Sequence, residues 1–494
     1  MIACPNCGAN LRFDPAKQRM VCDFCGSDFD PVQFDVKADA EEQHIKEQDK
    51  DADTYDVTVY TCPQCGGELL SVDSNTAAAF CSFCGASTIL NARIAKGRRP
   101  EFIIPFSKTK EDCKQAYFKL VNRSPFIPRE YKSKECIDGF RGIYMPYWSY
   151  DVSQNGPVTL NGETTHRSGD YIITKHFRLS GSIDAAYEGI SYDASSSFSD
   201  SISEALAPYD IHKRVPFEPS YMSGFYADIA DVNKSVYSKK AAGFAYDRSL
   251  DRIKSETREF ARYTIKEGSR PQGKDAPGSA FASRTEKSHS CMFPVWFMSY
   301  RNGDRVTYAT VNGQTGKVAA DLPIDIKKYL IFSGILAIII FVILNSFLIL
   351  TPKNVLIGAG ALTVLVFIIN WMQRMEIKKK VTGEDDIGLK YASNARAKKT
   401  GKGSKKKEAL DIEVPEAAMS GGEGIILAAG CISVAITLLM LFLIKPVNDM
   451  PYYVMCVIDA VIFALSYKST LRNYNLMATR RLPQFDRKGG DDRA

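Results

Sequence analysis

Histidine is scarce in this chain, with five among 494 residues, and the scarcity removes one class of chemistry. His44, His166, His176, His212 and His289 form no His-Glu-x-x-His or similar spacing, so a catalytic zinc of the metalloprotease kind is excluded. A phosphate-binding loop is missing as well. The stretch from Asn312 to Val318, "NGQTGKV", imitates one. Such a loop needs four residues between its glycines and a hydroxyl after the lysine. Here two residues separate Gly313 from Gly316, and Val318 stands where the hydroxyl belongs; the stretch reads as a β-turn. Ser195–Ser197 is a polar run rather than a nucleophile elbow. With no catalytic constellation left, an enzyme is not the expected class.

What the chain has instead is cysteine in an ordered pattern. Eight of its thirteen cysteines fall into two copies of Cys-x2-Cys, spacer, Cys-x2-Cys: Cys4, Cys7, Cys22 and Cys25 around 14 residues, and Cys62, Cys65, Cys81 and Cys84 around 15. Two such turns facing each other make a tetrahedral S4 metal site. A glycine follows every pair, at Gly8, Gly26, Gly66 and Gly85, where the turn needs a residue that tolerates positive φ. Pro5 and Pro63 stiffen the first turn of each copy. Disulfides are disfavoured because no secretory signal precedes the cysteines. Redox pairs are disfavoured because the motifs come in matched sets of four outside any βαβ pattern. Iron can occupy an S4 site, but zinc suits it better. The spacing therefore predicts two structural Zn2+ sites in two zinc ribbons. Each lacks an open position for water and supplies the folding energy of its ribbon. Cys113, Cys136, Cys291, Cys431 and Cys456 stand at no ligand spacing and read as buried or unpaired thiols, which places the soluble part in a reducing cytosol.

Long apolar runs fill the C-terminal third. Residues 329–350, 355–372 and 424–444 carry no charge, and 451–467 carry one. A spanning helix needs about 20 apolar residues, so four transmembrane helices in two hairpins are expected. Segment 374–407 has 12 Lys/Arg against 4 acidic residues, and the tail 468–494 has 7 Lys/Arg, while each short hairpin loop has a single lysine. Positive charge stays inside, so both termini and the 373–423 loop are expected in the cytosol of a multi-pass protein. Asp459 sits near the middle of the last run. An intramembrane carboxylate is a candidate functional group, but the favoured reading is a protonated or hydrogen-bonded carboxyl facing another helix, with Asn345 or a serine as its partner.

The remaining domains follow by composition: ribbon 1 over 1–30, a charged linker over 31–60, ribbon 2 over 61–95, and an α+β cytosolic domain over 98–322. In the last, a helix is expected from Thr109 to Asn122, ending before Pro125, with further helical stretches near 197–206 and 228–266. "RNGD" and "VNGQTG" read as hairpin turns. Pro146-Tyr147-Trp148 and Pro294-Val295-Trp296 look like two copies of one Pro-x-Trp hairpin.

The order of these motifs is itself distinctive: two CPxCG ribbons, "IIPF", a helix, "GIYMPYWSYD", "YMSGFYAD", "FPVWFMSY", "VNGQTGKVAADLP", then membrane helices. The chain resembles the bacterial TFIIB-type zinc-ribbon membrane proteins of Gram-positive genomes over roughly residues 1–350. Members of that family often carry the label of a replication-restart helicase (primosomal protein N′), which the ribbon cysteines alone explain; this chain has no helicase motif. Some members are similar to a membrane anchor that works with phage-shock protein A and with TPM- and SPFH-domain partners in envelope stress. The resemblance thus implies a membrane-anchored scaffold that docks protein partners at the inner face. A membrane-tethered nucleic-acid binder is the alternative. Residues 4–26 hold three Lys/Arg against two Asp, and 62–85 hold no Lys/Arg, whereas a phosphate-binding face needs clustered cations. The basic stretch 396–407 is expected against anionic lipid, at about 1 kcal/mol per cation.

Overall fold

The computed structural model describes residues 2–34, 54–71, 81–85, 91–256, 264–266, 283–347, 351–382, 386–391 and 421–481. Most of the charged linker, the basic stretch 396–407 and the tail beyond residue 481 lie outside these.

Ribbon 1 is a three-stranded antiparallel sheet of β1 (Leu11–Asp14), β2 (Arg19–Cys22) and β3 (Asp28–Phe29). Ribbon 2 contributes β4 (Thr54–Thr61), β5 (Glu68–Ser71) and β6 (Asn91–Arg98), with β4 central. It is not a separate knob. Leu70 of β5 pairs with Ala227 of the middle domain, so ribbon 2 is the outer part of one 13-stranded sheet. Ribbon 1 is held from its back: Phe13 N–H donates to Ser223 O at 3.1 Å, and Leu11, Phe13 and Met20 share a buried cluster with Phe106, Tyr221 and Phe225.

The middle domain runs β7 (Phe102–Ile103), α1 (Lys110–Asn122), α2 (Lys134–Asp138), β8 (Arg141–Ser168), β9 (Tyr171–Asp193), α3 (Asp200–Leu206), β10 (Val215–Pro216), β11 (Tyr226–Ala227), α4 (Ser238–Glu256), β12 (Thr264–Lys266), β13 (Arg284–Asn302), β14 (Arg305–Asn312) and β15 (Val318–Ala320). The domain is α+β. Helix α1 begins where the sequence places it. Thr109 accepts from Asp112 N–H at 3.1 Å and donates its own N–H to the Asp112 carboxylate at 2.9 Å, a reciprocal cap. Cys113, Tyr117 and Val121 then form its buried stripe. The helix expected over 228–266 is shorter. The N–H groups of Asp228 and Asp231 are committed to Tyr144 O and Ala194 O, both at 2.9 Å, so the chain coils only after those bonds are made.

The Pro-x-Trp resemblance resolves into a duplicated unit, β-strand, loop, helix, hairpin. The first copy is β7, α1, β8 and β9; the second is β11, α4, β13 and β14. The two copies exchange strands: β7 pairs with β13 (Phe102↔Cys291) and β11 pairs with β8 (Tyr226↔Ile143). The two hairpins meet antiparallel about Met145↔Phe293. Matching bonds recur on both sides. Gly313 N–H reaches Pro294 O and Ala194 N–H reaches Pro146 O, each at 2.8 Å. The Trp296 indole donates to Lys108 O at 2.9 Å, and the Trp148 indole to Val232 O at 2.8 Å. A local two-fold therefore organises the domain.

Four apolar helices follow: α5 (Ile326–Phe347), α6 (Pro352–Thr382), α7 (Gly421–Leu439) and α8 (Met450–Ala478). Among the described residues three of them, α5, α6 and α8, are long and apolar enough to cross a membrane. In the remaining helix the described residues give a shorter apolar stretch, Ala428–Ile444. It passes into a π-helical turn over Met440–Ile444 and stops at Lys445, whose φ is +43°. Among the described residues nothing covers most of α5: Ile331 and Phe341 are 65% and 68% exposed.

Helices α6, α7 and α8 pack through a polar seam. Asp459 is fully buried and accepts from the Ser433 and Thr437 hydroxyls. The expected hydrogen bond to a facing helix is therefore present, with a serine as one partner; the Asn345 side chain lies outside the described set. Further along, the Asn370 amide donates to Ser466 O at 3.0 Å and accepts from Asn473 at 2.8 Å. The end of α8 is bound to the sheet: Arg305 donates to Leu476 O at 2.9 Å, and β16 (Arg480–Arg481) pairs with β14.

Candidate metal centres

The eight predicted cysteines come together in two quartets, and in each the four Sγ atoms lie within 4.8 Å of one another. Four identical turns build them. Gly8, Gly26, Gly66 and Gly85 have φ of +73°, +74°, +73° and +70°. Each donates its N–H to the carbonyl of the first cysteine of its pair, at 2.8–3.0 Å. Cys4 and Cys25 are 3.6 Å apart at sulfur, Cys7 and Cys22 3.5 Å, Cys62 and Cys84 3.8 Å, and Cys65 and Cys81 3.7 Å. A tetrahedral ion with bonds of about 2.3 Å to sulfur sets its ligands about 3.8 Å apart, so both quartets fit one. No disulfide joins any of the thirteen cysteines. No histidine joins either quartet among the described residues; His289 instead bridges Glu101 and Asp151.

In ribbon 1, hydrogen bonds from the Ser27 hydroxyl and amide bring Cys25 down to about 6. In ribbon 2, donation from Cys65, Cys81 and Cys84 pulls Cys62 down, while their service as donors to Cys62 pushes Cys65 and Cys81 up. Uptake of a divalent ion therefore releases protons and is favoured by higher pH.

The two quartets differ in burial, which spacing alone does not reveal. Cys62, Cys65, Cys81 and Cys84 are all buried, whereas Cys7 and Cys25 of ribbon 1 are exposed. Ribbon 2 is seated on the β13–β14 hairpin through both of its turns. Tyr308 donates to Phe83 O at 2.7 Å, and Arg301 donates to Gln64 at 2.9 Å. Phe83 is 2% exposed beneath this contact, while Phe24, at the same place in "CDFCG", is 83% exposed.

A second polar centre lies where the duplicated units differ. Asp193, Asp228 and Asp231 occupy the positions that Asn312, Ile104 and Ser107 hold in the other half. Burial raises Asp228 to about 6 against hydrogen bonds from Ser195 and Ser197. Burial, with Asp200 and Asp386 close by, pushes Asp193 well above the carboxylate range. Asp200 accepts from the Tyr237 hydroxyl at 2.7 Å and from Ile387 N–H at 3.0 Å, so the segment after α6 returns to the domain at this point. The sequence signals none of this, because the aspartates belong to separate elements.

These features define a two-quartet, duplicated α+β protein attached to apolar helices. No family model matches the chain, and no solved structure matches it. The chain is similar to the uncharacterized protein YdjG of Bacillus subtilis (strain 168), at 28% identity over 362 residues, or 72% of this chain and 98% of that protein.

Proposed function

We propose that this chain is a membrane-anchored cytosolic scaffold that docks protein partners at the inner face of a bacterial membrane. Its two quartets hold structural Zn2+ in ribbons of the TFIIB type. The observation that carries the reading is the free knuckle of ribbon 1, where Phe24 is 83% exposed while its counterpart Phe83 is 2% exposed. An aromatic held at the tip of a metal-braced turn is a rigid anchor of the kind that dominates protein interfaces. Four spans are proposed, with both termini and the 373–423 loop cytosolic. The basic stretch 396–407 lies against anionic lipid. An envelope-stress role is the physiological setting that the family resemblance suggests, and no catalytic role is assigned.

Nucleic-acid binding is the less favoured reading. In ribbon 1, Arg12 is paired with Asp23 at 2.7 Å and Arg19 with Asp28 at 3.1 Å, which leaves little net cationic face for phosphates. The test uses the full chain in mild detergent. Proteins that co-purify with it are identified, and labelled single- and double-stranded oligonucleotides are titrated at physiological salt. The scaffold reading expects a protein partner that is lost in Cys25→Ser while membrane insertion persists. Sub-micromolar oligonucleotide binding would replace it with the nucleic-acid reading.

A further inference from the structure

The two hairpins of the duplicated unit end in the same turn. β13–β14 closes through Arg301-Asn302-Gly303-Asp304 and β8–β9 through Arg167-Ser168-Gly169-Asp170. Gly303 and Gly169 have φ of +63° and +62°. In each turn the arginine Nε donates to the glycine carbonyl, at 3.1 Å for Arg301 and 3.0 Å for Arg167. In β13–β14 this turn has an occupant: the two turns of ribbon 2, held by Arg301 on Gln64 and by Tyr308 on Phe83 O. The ribbon backbone approaches so closely that a Cβ on Gly85 would stand 3.2 Å from Arg301 Cβ.

β8–β9 carries the same turn further out. Four residues separate Trp296 from Arg301, and eighteen separate Trp148 from Arg167. The difference moves the tip outward by about 46 Å at the rise of a strand. β8 runs antiparallel to β13, so this tip lies at the opposite end from the turn that α8 grips. On the face that matches the docked one stand Thr165, Arg167, Ile172 and Thr174. All four are exposed, and Ile172 is 74% exposed. Thr165 and Thr174 place hydroxyls at the register positions of Ser299 and Tyr308.

The chain also holds the matching knuckle. Ribbon 1 has Asn6 where ribbon 2 has Gln64, and Phe24 where ribbon 2 has Phe83; Asn6 and Phe24 are both exposed. We propose that the β8–β9 tip of one copy seats on the ribbon 1 knuckle of a second copy of this chain, repeating between molecules the contact made inside the molecule by β13–β14 and ribbon 2. Arg167 takes the Asn6 side-chain oxygen, a threonine hydroxyl takes the Phe24 carbonyl, and Ile172 covers the Phe24 ring. The inference goes beyond the docking of other proteins proposed above and stands without it.

The test uses the full chain in lipid vesicles. A photo-reactive benzoylphenylalanine replaces Ile172, and light- and heavy-isotope chains are reconstituted together. Irradiation is expected to give heavy–light adducts at the two ribbon 1 turns, 4–8 and 22–26. Phe24→Asp is expected to lower their yield at least tenfold without changing the metal content per chain, and Arg167→Ala to lower it on the opposite side of the contact. Adducts confined to single chains, adducts to lipid alone, or a yield indifferent to both substitutions would overturn the proposal.

Discussion

Replacing Gly313 with alanine tests the duplicated architecture at the point where its halves differ by one carbon. A Cβ at Gly313 would stand 2.6 Å from Phe106 Cδ1 and 2.8 Å from Pro294 Cβ, distances that real side chains do not accept. Phe106 has no room to retreat. It is fully buried and stacked on Phe225 at 4.4 Å, with Tyr144 at 4.9 Å and Trp296 at 5.0 Å. The backbone is also fixed, because Gly313 O accepts from both Ser107 and Lys108. Overpacking of this kind costs roughly 1–3 kcal/mol. In a domain of this size each kcal/mol moves the melting temperature by about 2–4 °C, so a fall of about 4–8 °C is expected for a cost near the middle of that range. Position 194 in the other half already carries an alanine with the same backbone bonds. Ala194→Gly is therefore the matched control and should cost under about 1 kcal/mol. The assay is thermal unfolding of the full chain in detergent, followed by fluorescence. A Gly313→Ala protein as stable as the parent, or an Ala194→Gly protein that is the weaker of the two, would refute the reasoning.

Three further outcomes are expected. A chelator should strip the metal in two phases, the faster from ribbon 1, where Cys7 and Cys25 are exposed; Cys25→Ser should remove the fast phase and Cys65→Ser the slow one, and a single shared phase would count against the difference in burial. Burial beside Asp200 and Asp386 raises the Asp193 carboxyl, so its stabilising protonated form is lost as pH climbs through that raised value. Asp193→Asn, which installs the residue found at 312, should flatten the resulting fall in stability as pH rises from the ordinary carboxylate range to that raised value, and an unchanged slope would remove Asp193 as its origin. Single cysteines placed in 351–354 or 446–450 should react with a membrane-impermeant thiol reagent on whole cells and those in 390–405 should not; the reverse pattern would invert the proposed topology.

The quartets were legible because their information is local: Cys-x-x-Cys-Gly fixes a turn, and all four glycines have the φ that the turn requires. The cap at Thr109 was legible for the same reason. The Pro-x-Trp duplication was visible as a motif, but its strand exchange was not, since β7 reaches β13 across nearly two hundred residues and no local pattern encodes that pairing. Phe24 and Phe83 sit in near-identical sequences, and what separates them is Tyr308 and Arg301, far along the chain. The α4 start was misplaced because backbone bonds from Asp228 and Asp231 to the neighbouring hairpin override a helical composition. The apolar runs announced their helices, yet the polar seam through Asn370 and Asp459 depends on which helices face each other.

Metal content and metal-edge X-ray absorption on the purified full chain test the central claim most directly. The account predicts two zinc ions per chain, each with four sulfur neighbours at about 2.3 Å, falling to one in either Cys4→Ser or Cys62→Ser. Less than one zinc per chain, or a shell containing nitrogen or oxygen, would contradict it.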